Sequence, residues 1–209
     1  MRVTPQDVLL AVDIQNDFCP GGALGVADGD AVIGPIHRIA GSFQHVILTQ
    51  DWHPSGHTSF AANHPGKKPY ESIQLHYGEQ TLWPMHCVQG TRGAEFHPAL
   101  YLPEAELILR KGFHSKIDSY SVFFENDRTT PTGLASYLRE RGLKRIFLAG
   151  LAYDYCVAYS ALDARRLGLP VVIIRDACRA IDLNGSVARM EAEFEKAGVK
   201  VIVSSELTA

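Results

Sequence analysis

Six short apolar runs recur along the chain: VLLAVDI (8–14), HVILTQD (45–51), ELILRKG (106–112), RIFLAGL (145–151), VVIIRDA (171–177) and VKVIVSS (199–205). Within each run the apolar positions are close to continuous, which is the pattern of strands buried on both faces of a parallel sheet. Helix-like stretches lie between most of them, at 29–43, 132–142, 154–168 and 184–198. Three of these end on a glycine (Gly142, Gly168, Gly198) just before the next run, where a helix stop is expected. Strands alternating with helices predict an α/β fold: a doubly wound, mostly parallel six-stranded sheet with helices on both faces, in a Rossmann-like three-layer arrangement. The 209 residues suit a single domain spanning 1–209. The segment at about 53–103 breaks the rhythm. It lacks clean periodicity and is rich in His, Gly, Pro and aromatic residues, so it reads as a loop-rich functional insertion.

Composition excludes several classes of partner. A formal net charge of −3 gives no basic footprint for nucleic acid. The apolar runs are far shorter than the roughly 20 residues that span a bilayer, so no membrane partner is expected. The N-terminal MRVTPQDVLL lacks the layout of a signal peptide, and the four cysteines (Cys19, Cys87, Cys156, Cys178) are scattered without a CxxC pair. The expectation is a cytoplasmic protein with reduced thiols.

In open α/β sheets the ligand crevice lies beyond the carboxyl ends of the strands, near a topological switch point. The polar residues at the ends of the apolar runs should therefore converge. Asp13 and Gln15 end the first run, Asp51 and His53 the second, Lys111 the third, and the 152–156 turn follows the fourth. A buried cysteine by itself is more often a packed hydrophobe than a nucleophile. Cys156 differs in its company. It is expected in the first turn of a helix, where its thiolate would be favoured, with Asp13 able to accept the thiol proton and Lys111 able to steady the anionic pair. A second group, Asp51, His53 and His57 in DWHPSGH with His86 in WPMHC, offers carboxylate and imidazole ligands that suit Zn²⁺, Fe²⁺ or Mn²⁺. Residues two apart on a strand point to the same side, so the Asp51/His53 pair is geometrically sound. By contrast GGALG (21–25) lacks dinucleotide-binding spacing, and Gly66-Lys67-Lys68 lacks the upstream glycine and the hydroxyl of a phosphate loop.

Taken in order, VDIQNDFCPGGAL (12–24), TQDWHPSGHTSF (49–60), LWPMHCVQGTRGAEFHP (82–98), LRKGFHSKIDSYSVFF (109–124) and GLAYDYCVAYSALDA (150–164) resemble the cysteine hydrolases of the isochorismatase-like superfamily. Within it they are most similar to the nicotinamidase (pyrazinamidase) enzymes. The resemblance covers nearly the whole chain. It implies an isochorismatase-like fold and hydrolysis of nicotinamide to nicotinic acid and ammonia through a thioester, as part of NAD salvage, with pyrazinamide as a further substrate. It implies a triad of Asp13, Lys111 and Cys156. It also implies one divalent metal, zinc first with iron or manganese as alternatives, held by Asp51, His53 and His86, with His57 as an additional candidate. The apolar cage for the pyridine ring would be Phe18, Trp83 and Tyr120. A cis peptide is implied at Leu151–Ala152, and the tight turn there could aim the backbone N–H groups of Ala152 and Cys156 at a developing oxyanion. The alternative is another isochorismatase-like amidase or carbamoyl hydrolase with the same triad. The sequence leaves a homo-oligomer open.

Overall fold

The computed structural model describes residues 1–208. In chain order the strands are β1 (Asp7–Val12), β2 (His45–Asp51), β3 (Ser72–Leu75), β4 (Gly78–Thr81), β5 (Leu107–Lys111), β6 (Arg145–Gly150), β7 (Val171–Cys178) and β8 (Lys200–Ile202). The helices are α1 (Ile33–Ala40), α2 (Leu134–Glu140), α3 (Ala158–Arg166) and α4 (Ser186–Ala197). Six strands form one sheet in the order β5-β2-β1-β6-β7-β8, with every pairing parallel. The six apolar runs thus become the six strands of a doubly wound sheet, as expected.

Successive side chains on a strand point to opposite faces, and here both faces are covered. Leu9 and Ala11 of β1, with Val46 and Leu48 of β2, join Ile36 and Ile39 of α1 in one core. Val8, Leu10 and Val12 join Leu134 and Leu138 of α2, Ala158 and Ala161 of α3 and Phe194 of α4 in the other. Each of these large aliphatic side chains contributes about 1.5–3 kcal/mol when removed from water. The chain runs outward from β1 through β2 to β5, then returns to place β6 on the other side of β1. The order of the sheet therefore reverses between β1 and β6, which is where a ligand crevice is expected.

The element bounds are narrower than the periodicity suggested. The 29–43 stretch opens with a 3-10 turn, Gly29–Val32, before α1, and the 154–168 stretch opens with a wide π turn, Tyr153–Val157, before α3. Gly142, Gly168 and Gly198 follow their helices with left-handed backbone, as expected for helix stops. The β3–β4 hairpin inside the 53–103 segment was not legible, because SIQL and GEQT are four residues each and too polar to show an apolar alternation. No helix among the described residues is long and apolar enough to cross a membrane.

Candidate active site

Sheet register delivers the polar rim. Asp51 and Lys111 are paired neighbours at the ends of β2 and β5, and Val12 is paired with Gly150 at the ends of β1 and β6. A Cβ at Gly150 would stand 2.2 Å from the carbonyl oxygen of Val12, so only glycine lets the β6 backbone run this close to β1. Just past β1, Asp13 adopts φ 48°, a left-handed conformation uncommon for an L-residue. Thr49 on β2 holds it there twice: its hydroxyl donates to Asp13 Oδ1 at 2.5 Å and accepts the Asp13 N–H at 3.2 Å. Gln15 fastens the ends of β1 and β2 by accepting the N–H of Asp51 at 2.8 Å and donating to its carbonyl at 2.8 Å.

Lys111 is the centre of a buried charge cluster. Its ammonium lies 2.9 Å from Asp13 Oδ2, hydrogen-bonds Asp51 Oδ1, donates to the carbonyl of Ser119 at 2.9 Å and stands 3.3 Å from Cys156 Sγ. Asp13 Oδ2 makes an ion pair with this ammonium but receives no aligned hydrogen bond among the described residues, which leaves it a free lone pair. Burial pushes the Asp13 carboxyl up, more than Lys111 draws it down. Burial also opposes the charge on Asp51, yet Lys111 and His53 beside it hold that carboxyl well below the usual range. Burial works against the Lys111 ammonium as well, but Asp13 and Asp51 outweigh it and keep the lysine charged.

Cys156 departs from the expectation. It sits buried in the π turn ahead of α3, and burial pushes its thiol well above the ordinary value although Lys111 pulls the other way. Desolvation works against the thiolate here and outweighs the pull of the single ammonium. The group is a resting thiol that needs a base within reach.

The turn leading to Cys156 contains a cis peptide between Leu151 and Ala152. The carbonyl of Ala152 accepts the N–H of Tyr155 and that of Val157, each at 3.1 Å, and the N–H of Cys156 between them is not one of its donors. The N–H of Ala152 has no acceptor among the described residues. Asp154, two residues before the cysteine, points away from the thiol. It accepts the N–H groups of Ile181 (3.0 Å) and Asp182 (2.8 Å) and the hydroxyl of Ser186 (2.5 Å), and so ties the 181–186 loop to the turn.

Asp51, His53 and His86 form one buried group whose ligand atoms lie within 4.8 Å of one another. Asp51 Oδ2 is 3.5 Å from His53 Nε2 and 3.7 Å from His86 Nε2. The Nδ1 of His53 faces the carbonyl of Gly112 at 2.7 Å and that of His86 faces the carbonyl of Pro84 at 2.8 Å. A carbonyl only accepts, so each Nδ1 carries a proton and each Nε2 is the ring atom turned toward Asp51, the arrangement that orients histidines on a divalent ion. The donor set therefore fits a metal. Gly112 is part of the fit, because a Cβ there would lie 2.4 Å from the His53 ring.

His57 is placed differently. Its ring stacks on that of His53 with centroids 4.2 Å apart, but both nitrogens are engaged: Ser59 Oγ lies 2.7 Å from Nδ1, and Nε2 donates to the carbonyl of Ile117 at 3.3 Å. Burial lowers its pKa to about 4, so the ring is neutral. His57 groups with His53 and Asp118, outside the set that contains His86.

Beside the two clusters, which Lys111 joins through Asp51, lies a small pocket open to solvent on one side. Phe18, Trp83 and Tyr120 line it together with Asp51, His86, Ala152 and Cys156, so these seven residues singled out in the sequence meet around one chamber, while Asp13, Lys111 and His53 are not part of its lining. Four further lining residues were not anticipated: Leu24, Asp118, Tyr155 and Ile181. Only Tyr155 carried a signal, its adjacency to Cys156. Ile181 reaches the chamber because Asp154 holds its backbone, a long-range contact without a sequence pattern.

The isochorismatase domain profile matches residues 7–206. A nicotinamidase of Acinetobacter baylyi is 54% identical over 99% of this chain and 97% of its own length. A solved nicotinamidase/pyrazinamidase of Acinetobacter baumanii superposes with a TM-score of 0.96 at 54% identity, covering 97% of this chain and 98% of that one. A pyrazinamidase of Pyrococcus horikoshii solved in complex with zinc superposes with a TM-score of 0.75 at 35% identity, over 95% of this chain and 99% of that one.

Proposed function

The chain belongs to the isochorismatase domain family, and from that premise we propose that it is a metal-dependent cysteine amidohydrolase converting nicotinamide to nicotinic acid and ammonia. One observation carries this reading: a buried Asp13–Lys111–Cys156 cluster, joined through Lys111 to a buried Asp51/His53/His86 group, borders a small aromatic pocket. The close kinship to nicotinamidases selects the pyridine carboxamide among the amides that such a pocket could hold, with pyrazinamide as a second substrate.

Phe18, Trp83 and Tyr120 enclose the ring and exclude water from it. Asp51, His53 and His86 would hold a divalent ion, zinc by preference, which supplies an anchor for the ring nitrogen when bound. With the ring fixed, the amide carbon stands over Cys156 and attack becomes effectively unimolecular. Because burial keeps the Cys156 thiol protonated, the proton has to leave as the sulfur attacks, and Asp13 Oδ2, unoccupied by any aligned donor, receives it. Lys111 stays charged and balances Asp13 and the transient thiolate. The carbonyl oxygen, negative in the tetrahedral intermediate, accepts the N–H groups of Ala152 and Cys156. Asp13 returns its proton to the amine nitrogen, the C–N bond breaks, and ammonia leaves a thioester on Cys156. A water deprotonated by Asp13 then attacks the thioester, releasing nicotinic acid and restoring the thiol. All four cysteines are free, in keeping with a reducing cytoplasm as the working compartment.

The test is ammonia release from nicotinamide by the purified protein, beside Cys156→Ala and a chelator-stripped sample. Turnover should vanish in both and return to the stripped enzyme on adding a divalent ion. Wild-type protein that is metal-loaded, reduced and still inactive would overturn the reading.

A further inference from the structure

Tyr120 and Tyr155 are the two residues that line both the substrate pocket and a second, larger cleft. That cleft lies open to solvent between the β3–β4 hairpin, the 121–128 loop, α3 and the start of α4. The rings of Tyr120 and Tyr155 meet edge to face with centroids 5.5 Å apart, and Trp83 packs edge-on to Tyr155 at 4.9 Å and to Tyr120 at 6.3 Å. Rings at these separations are in contact, so the three form a closed wall. Its members are not fastened alike. The Tyr120 backbone donates to Asn126 Oδ1 at 3.0 Å, and its hydroxyl accepts Trp83 Nε1 at 3.0 Å and Gln80 Nε2 at 3.1 Å. None of these bonds reaches Tyr155, which is half-buried and closes the wall with its ring.

Resting on the amide-hydrolase reading above, we propose that Tyr155 is a specificity-determining residue whose ring is the partition limiting this enzyme to single-ring carboxamides. The far side of the partition has room for a second fused ring, since Phe124, Tyr159, Leu162 and Met190 present apolar surface to a cleft whose remaining lining is largely polar. Tyr120 could not serve as the selective element alone, because removing it would also strip hydrogen-bond partners from Trp83 and Gln80 and disturb the chamber itself. Tyr155 can be shortened with those bonds intact.

The experiment compares kcat/KM for nicotinamide and for the two-ring quinoline-3-carboxamide in wild type, Tyr155→Phe and Tyr155→Ala. Apolar pockets discriminate by roughly 10- to 200-fold against an ill-fitting group, so Tyr155→Ala should reduce the wild-type preference for nicotinamide at least about tenfold. Tyr155→Phe, which keeps the ring, should retain the wild-type ratio. A folded Tyr155→Ala enzyme with the wild-type ratio would overturn the proposal, as would a Tyr155→Phe enzyme that loses the preference as fully as the alanine variant. If Tyr155→Ala does not fold, by thermal melting, Tyr155→Leu takes its place with the same expected direction. Binding of nicotinic acid and quinoline-3-carboxylic acid, followed by tryptophan fluorescence, reads the same preference without turnover. Absence of ammonia release by wild type would sink the amidase reading, while the binding ratio would still decide whether Tyr155 is the partition.

Discussion

Thr49→Val is the most informative single change, because it removes one hydroxyl and keeps the side-chain shape. Thr49 Oγ1 donates to Asp13 Oδ1 at 2.5 Å and accepts the Asp13 N–H at 3.2 Å, and all of these atoms are buried. Valine fills the same space but leaves a buried carboxylate oxygen and a buried N–H without partners. A hydrogen bond to a charged group is worth about 1.5–3 kcal/mol. If that energy holds Asp13 in its reactive, ionised form, kcat/KM falls by about 10- to 150-fold, at 1.4 kcal/mol per decade. The direction with pH follows from the same bond. The Asp13 pKa is already raised, by burial first, and Thr49 is one of the groups drawing it down. Without Thr49 the pKa rises further, so the acid limb of the kcat/KM profile moves to higher pH and the deficit is largest at the acid end. A stability loss of this size lowers Tm by about 2–4 °C per kcal/mol in a chain of this length, so the variant remains folded in the assay. A Thr49→Val enzyme with near-normal kcat/KM and an unshifted acid limb would refute the assignment of Asp13 as the ionised base.

Three other substitutions separate the parts of the site. Lys111→Met leaves Asp13 and Asp51 buried without their shared cation, so it should reduce kcat/KM by about 10²–10⁴-fold, a range typical of lost acid–base function; steady-state kinetics beside a melting curve checks this. Gly112→Ala forces a Cβ to within 2.4 Å of the His53 ring, so bound metal per chain, by elemental analysis, should fall together with activity while Cys156 remains titratable by a thiol reagent in unfolded protein. Asp154→Ala orphans the N–H groups of Ile181 and Asp182 and the Ser186 hydroxyl, costing about 1–3 kcal/mol. Because Ile181 lines the pocket, hydrogen exchange in the 181–186 loop should accelerate and KM should rise more than kcat falls.

The layered architecture was written in the sequence because the central strands β1, β2, β6 and β7 are buried on both faces and the helices are not, and burial leaves a periodicity that can be counted. The convergence of Asp13, Asp51, Lys111 and the 152–156 turn followed from the same source: parallel strands end on one side, so residues that end them share a rim. The polar hairpin at 72–81 escaped, since its four-residue strands bury too little to leave a pattern, and with it went the network of Gln80, Tyr120 and Trp83 that fixes one pocket wall. Leu24, Asp118 and Ile181 are likewise contributed by loops whose course depends on distant partners.

What the residues determined by themselves was which chemical groups are present and which side of the sheet carries them. Tertiary structure decided their states. Cys156 reads as an activated thiolate from its place before a helix, yet enclosure raises its pKa well above the ordinary value. His57 stands in the sequence only as an additional candidate ligand, and in the fold Ser59 and Ile117 lie against its two nitrogens. Protonation and coordination depend on desolvation and on partners brought together across tens of residues, and neither quantity exists until the chain has folded.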